Sequence, residues 1–188
     1  MEKTYYNSFS MYCRKNYGRK LYRVALNAGM SCPNRDGKIG TAGCVFCDEG
    51  GSGDFSIFYH GQKLEEEDLI YNHVQAGTGN YIAYFQAYTN TYAPIEKLHF
   101  LFEKALSDPL FGGIAIATRA DCLSDEVIGM LKELKQEHAE KLFLVELGLQ
   151  TIHEKSALFI RRGYPLSVFD DCTERLCRAG IPFVVHVI

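Results

Sequence analysis

Leu142-Phe143-Leu144-Val145-Glu146-Leu147-Gly148-Leu149, followed by Gln150 and Thr151, is the stretch on which the fold turns. A run this short and this apolar reads as a strand of a parallel sheet covered by helices. Side chains alternate faces along a strand, so Glu146, Gly148 and Gln150 point one way while Val145, Leu147 and Leu149 point the other. The same polar parity recurs in Arg23 and Asn27, in Gln86, Tyr88 and Asn90, and at His186. One apolar face towards helices and one polar face predict a curved barrel lined for a ligand, with its chemistry at the strand C-termini. A flat, doubly wound sheet would be apolar on both faces.

Outward from that strand the same unit repeats. Residues 21–27, 81–88, 114–118 and 183–188 read as further strands, making five. Residues 6–17 form a helix that Gly18 ends, and Glu65, Glu66, Glu67 and Asp68 open another, reaching about Gly77, where the helix dipole favours acids. Pro94 opens a helix with Ile95, Leu98, Leu101, Phe102, Ala105 and Leu106 on one face. Ser124 starts the next, with Val127, Ile128, Leu131 and Leu134 inward. Thr151 and Glu154 fit a capping box for a helix that Gly163 terminates. The last helix begins near Ser167, carries Val168, Cys172 and Leu176, and stops at Gly180. The predicted fold class is α/β, a partial (β/α) barrel truncated after about the fifth strand. Residues 1–20 form a basic aromatic arm and 21–188 the N-terminal part of the barrel domain. Because the sequence stops within a strand, we expect a C-terminal remainder beyond Ile188.

The 188 residues have room for one domain with a sizeable core, and 47% hydrophobic residues exclude a disordered or collagen-like chain. A formal net charge of −3 provides no overall basic field for nucleic acid or an anionic membrane. The N-terminal arm differs, holding Lys3, Arg14, Lys15, Arg19, Lys20 and Arg23 among Tyr5, Tyr6, Tyr12, Tyr17 and Tyr22. That mixture fits RNA contact, and equally a solvated helix packing its tyrosines. No signal peptide and no long apolar run is present, so we expect a cytoplasmic protein without a membrane partner.

Three of the seven cysteines, Cys32, Cys44 and Cys47, share the loop after the first strand. Their spacing is Cys-x11-Cys-x2-Cys, with Gly37, Gly40 and Gly43 between the first two. A two-residue interval turns two sulfurs onto one centre, and glycine-rich backbone lets a third reach it. The arrangement predicts a metal centre. A structural zinc takes four protein ligands, which His60 would complete as Cys3His, giving a zinc-stabilised interaction module. An iron–sulfur cluster held by three cysteines instead keeps one iron open.

With Phe46 before the last cysteine, this loop and the βα series resemble the radical S-adenosylmethionine (radical SAM) superfamily, whose usual cluster spacing is Cys-x3-Cys-x2-Cys. The resemblance covers the chain beyond its N-terminal arm. The expanded first interval, together with segments 87–92, 118–122, 146–151 and Arg161-Arg162-Gly163, resembles the Elongator-catalytic-subunit-like branch. That branch includes MnmL-type enzymes of the tRNA wobble uridine. The resemblance implies that Cys32, Cys44 and Cys47 ligate a [4Fe–4S] cluster whose fourth iron is chelated by S-adenosyl-L-methionine. It implies SAM contacts at Phe46, at Thr89 or Asn90, at Glu146 and at Gln150. Arg162 would pair with the methionyl carboxylate, with Arg161 an equal candidate on composition.

The implied reaction is reduction by a flavodoxin- or ferredoxin-like donor, cleavage of SAM to a 5′-deoxyadenosyl radical, and hydrogen abstraction from substrate. For an MnmL-type enzyme the substrate is tRNA, and carboxymethylaminomethyluridine becomes aminomethyluridine. A radical SAM enzyme acting on another substrate shares the same motifs. The chain by itself is expected to be inactive.

Overall fold

The computed structural model of the protein describes residues 5–47, 50–51, 56–65, 67–69 and 77–188. Helix α1 (Phe9–Tyr17) starts where the Ser8 hydroxyl accepts a hydrogen bond from the Met11 amide, and ends at Gly18 in the left-handed conformation. The chain then enters β1 (Tyr22–Asn27), and a short β2 (Ile57–Phe58) follows the cysteine loop. Next come β3 (Tyr81–Phe85), α2 (Ile95–Ser107), β4 (Phe111–Thr118), α3 (Asp125–Glu137) and β5 (Leu142–Gln150). Helices α4 (Glu154–Phe159) and α5 (Leu166–Ala179) lead to β6 (Phe183–Val187).

Among the described residues all six strands are parallel, in the order β2-β1-β3-β4-β5-β6. The sheet is open, as a partial barrel requires. Register explains its two faces. Val24, Ala83, Ile114 and Phe143 lie side by side on adjacent strands. They join the main core with Leu98, Phe102, Leu131 and Leu176 of the covering helices. One residue further along, Ala25, Tyr84, Ala115 and Leu144 are also aligned, and by strand alternation they face the other side. There Cys13, Leu21, Ile82 and Leu142 form a second cluster, against which Phe9, Tyr12, Tyr17 and Tyr84 pack. Helix α1 thus covers the inner face near the strand starts, and the polar residues lie beyond it towards the strand ends.

Several boundaries differ from the sequence reading. The strand expected over 81–88 ends at Phe85, because Ala87 and Tyr88 turn the chain with φ of 70° and 63°. Tyr88 and Asn90 therefore lie in the turn that follows, while Gln86 sits at the strand's end with its amide donating to the Leu26 carbonyl. Strand β4 begins three residues earlier than expected, at Phe111, and β2 is additional to the five strands read from the pattern. The capping box is not formed: His153 is the N-cap of α4, and Glu154 instead accepts from the Leu166 amide and pairs with Arg162. Helix α4 ends at Phe159, four residues before Gly163. Of the helix expected from 65 to 77, residues 67–69 form one 3-10 turn, and 66 and 70–76 lie outside the described residues. No helix among the described residues is long and apolar enough to cross a membrane.

Candidate cofactor site at the strand C-termini

Beyond the last paired residues of β1, the chain reaches Cys32 and folds the eleven-residue interval into tight turns. The Cys32 carbonyl accepts from the amides of Arg35 and Asp36, and the Pro33 carbonyl from those of Ile39 and Gly40. The Asn34 carbonyl then accepts from the Gly43 amide, which returns the chain so that Cys44 and Cys47 lie near Cys32. A Cβ on Gly43 would come within 2.9 Å of the Arg35 guanidinium. That guanidinium donates to the Cys47 carbonyl at 3.0 Å and lies over the Tyr88 ring.

The three cysteines line one cavity of about 350 Å³ at the strand C-termini. Its other walls include Phe46, Tyr88, Thr89, Arg119, Glu146, Gly148, Gln150, Arg162, Tyr164 and His186. His60 is exposed and is not among the lining residues. Three thiols on one turn-rich loop at the cavity wall are donors suited to a multi-iron group that keeps one iron open. Burial pushes the Cys44 thiol pKa up, and the Asn34 amide and Arg119 charge oppose that rise.

The candidate cofactor residues divide by environment. Thr89 is buried and lines the cavity, whereas Asn90 is fully buried and does not. The Asn90 amide donates to the Ala87 and Ala117 carbonyls, fastening the turn after β3 to β4. Phe46 is half-exposed at the cavity wall. Gln150 ends β5 with φ of 66°, beside Gly148, where a Cβ would meet the Gln150 amide at 2.8 Å. Arg162 is 2% exposed, and its guanidinium donates to the carbonyls of Tyr164 and Thr151 and pairs with Glu154. The Arg161 side chain is exposed, while its carbonyl accepts from Asn34.

Glu146 is 1% exposed and draws partners from two other strands of the sheet, β1 and β6. Its Oε2 meets His186 Nε2 at 2.8 Å, and its Oε1 forms an ion pair with Arg23 at 2.5 Å. Arg23 also lies over the rings of Phe9 and Tyr84. Burial and the Glu146 charge push the Tyr84 hydroxyl up to about 12. The polar parity read from β1, β5 and β6 thus brings Arg23, Glu146 and His186 together.

Other participants carried no strong sequence signal. Arg119, 9% exposed, forms a two-pronged pair with Asp121, donates to the Arg162 carbonyl and lies over Tyr164. Its segment belongs to the motif resemblance, but its spacing does not distinguish Arg119 from a solvated arginine. The described non-glycine residues with positive φ are Ala87, Tyr88, Gln150 and Arg161, and all belong to this site or its rim. Such backbone concentrates at functional sites, where the surrounding fold holds it in place.

Residues 32–188 match the family described as the radical SAM superfamily. The chain belongs to that superfamily. It is 42% identical over 186 residues to a Bacillus subtilis protein, "Uncharacterized protein YtqA", covering 97% of this chain and 56% of that one. "Protein YhcC" of Escherichia coli is 34% identical over 184 residues, covering 97% of this chain and 58% of that protein. "Uncharacterized protein MJ0486" of Methanocaldococcus jannaschii is 30% identical over 188 residues, covering 96% and 55% respectively. The chain therefore spans a little over half the length of these curated relatives. In a radical SAM protein, a three-cysteine loop opening on a cavity with charged and polar lining residues implies a [4Fe–4S] cluster and SAM, and the donor set here is chemically suited to both.

Proposed function

We propose that this chain carries the cofactor-binding part of an enzyme that reductively cleaves SAM and acts on the tRNA wobble uridine, taking carboxymethylaminomethyl to aminomethyl. The observation that carries the first half is the set of three cysteine thiols on the wall of the cavity that Thr89, Glu146, Gln150 and Arg162 also line. Cys32, Cys44 and Cys47 would hold the [4Fe–4S] cluster. When bound, the cluster and SAM supply an electron and a carbon radical that abstracts hydrogen from substrate. The chain's own residues bind and orient. Thr89, at the wall, is better placed than Asn90 to receive the SAM amino group, and Phe46 and Gln150 flank the cavity from the loop and from β5. Arg162 sets a positive charge at the wall for a carboxylate, held still by its carbonyl partners. Tyr164 and Ile160 add apolar surface that limits water.

Support for tRNA comes from the motif resemblance and from the basic N-terminal region, where Tyr5 and Tyr6 are 87% and 77% exposed. A flavodoxin- or ferredoxin-like protein is the proposed electron donor. All seven cysteines are free, in keeping with a reducing cytoplasm.

The test is anaerobic reconstitution of the intact protein with iron and sulfide, then dithionite and SAM, with 5′-deoxyadenosine measured. Formation that falls to background in Cys44→Ala is the expected result. Bound zinc without iron would refute the assignment. Nucleoside analysis of tRNA from cells lacking the gene tests the substrate. An unchanged wobble profile would favour a radical SAM enzyme with a different substrate.

A further inference from the structure

The eleven-residue interval does more than space the cysteines. Asn34, 4% exposed, sends its side chain from that interval to the sulfur of Cys44, with Nδ2 3.3 Å from Sγ. The same nitrogen is 2.7 Å from the carbonyl oxygen of Arg161. A carbonyl oxygen only accepts, so the amino end of the amide faces it, and the two N–H groups serve one acceptor each. The Cys44 thiol, 3.7 Å from the same carbonyl, donates to it only while protonated. Once the sulfur is a metal-bound thiolate, it and the carbonyl are two acceptors side by side. Asn34 is the donor between them.

The surroundings hold Asn34 in this place. Its own carbonyl accepts from the Gly43 amide at 2.9 Å, closing the turn that delivers Cys44. Arg161 has φ of 59°, and two residues on Gly163 has φ of 84°. A Cβ at Gly163 would meet Asn34 Oδ1 at 2.9 Å and Ile39 at 3.0 Å.

We propose, resting on the cluster assignment above, that Asn34 is a positioning residue that tunes the cluster: its N–H···S bond to Cys44 raises the reduction potential and ties the cysteine loop to segment 160–164. A donor to a ligating sulfur stabilises negative charge, and the reduced cluster carries more of it. Removing the donor therefore makes reduction harder. Asn34 touches the ligand, not the reacting atoms.

The experiment is a redox titration of the intact, reconstituted protein, followed by electron paramagnetic resonance, for the wild type, Asn34→Leu, Asn34→Asp and Gly163→Ala. Asn34→Leu removes the donor, and Asn34→Asp does so at nearly constant size. Gly163→Ala keeps Asn34 but pushes against its amide. At the potential where the wild type is half reduced, the two Asn34 variants should show a reduced-to-oxidised ratio about tenfold lower, equivalent to about 59 mV for one electron. Gly163→Ala should move in the same direction by less. A merely structural role would lower iron content and leave the potential of the loaded fraction unchanged, and that result would overturn the proposal. A wild type that takes up no iron overturns the cluster assignment and this inference together, and iron analysis tells that outcome apart.

Discussion

Glu146 shows how one side chain is held by its neighbours. It is a carboxylate in the interior of a strand, paired with Arg23 from β1 and His186 from β6. Removing one partner of a buried pair commonly costs about 3–5 kcal/mol, because the other charge is stranded out of water. Here the buried member would be removed, and the side chains of Arg23 and His186 are 35% and 45% exposed, so they can still reach solvent. Glu146→Ala should therefore destabilise by only about 1–2 kcal/mol in urea unfolding. A loss of more than about 4 kcal/mol would mean that the carboxylate organises much more of the interior than its ion pairs account for. Residues such as Glu146 were legible in the sequence because strand parity singles out one polar residue in an apolar run. Arg119 and Asn34 were not, because the carbonyls that tie them to the opposite side of the site, those of Arg162 and Arg161, lie 43 and 127 positions away and no local period links them.

At the scale of elements, the βα alternation was readable because each helix has its own apolar stripe and start signal. Ser124 and Gly180 act as read, capping α3 and ending α5. The errors fell where tertiary structure overrides local chemistry. Thr151 and Glu154 have the spacing of a cap, yet Glu154 is drawn to Arg162 and to the start of α5. Strand β3 stops early because Ala87 and Tyr88 are forced into a turn that alternation could not foresee. The start of β4 is set by close approach of backbone. Gly113 pairs with Leu142, and a Cβ there would lie 2.2 Å from the Leu142 carbonyl oxygen. A backbone atom cannot swing aside like the end of a side chain. Gly113→Ala is expected to destabilise by about 3 kcal/mol, near the upper end for overpacking, measurable by thermal or urea unfolding. An unchanged midpoint would mean that β4 and β5 can separate at their starts without loss.

For the whole molecule, the open sheet is the decisive property. Among the described residues strand β6 is bonded to β5 alone, and Val184, Val187 and Ile188 are 39%, 68% and 81% exposed. The cavity is bounded on that side by His186, Val187 and Ile188. Because the chain spans a little over half the length of its curated relatives, we expect it alone, reconstituted as above, to yield 5′-deoxyadenosine at least tenfold more slowly than a full-length relative. Equal rates would show that the described walls suffice. The positive φ angles around the cavity have a further consequence. Among the described residues, four side-chain-bearing ones hold conformations that the rest of the fold must enforce; Tyr88 and Gln150 line the cavity, and Ala87 and Arg161 adjoin lining residues in the chain. Selection for heat resistance would relax such positions first, and function would suffer for it: the easiest route to a sturdier protein runs through the part that it can least afford to change.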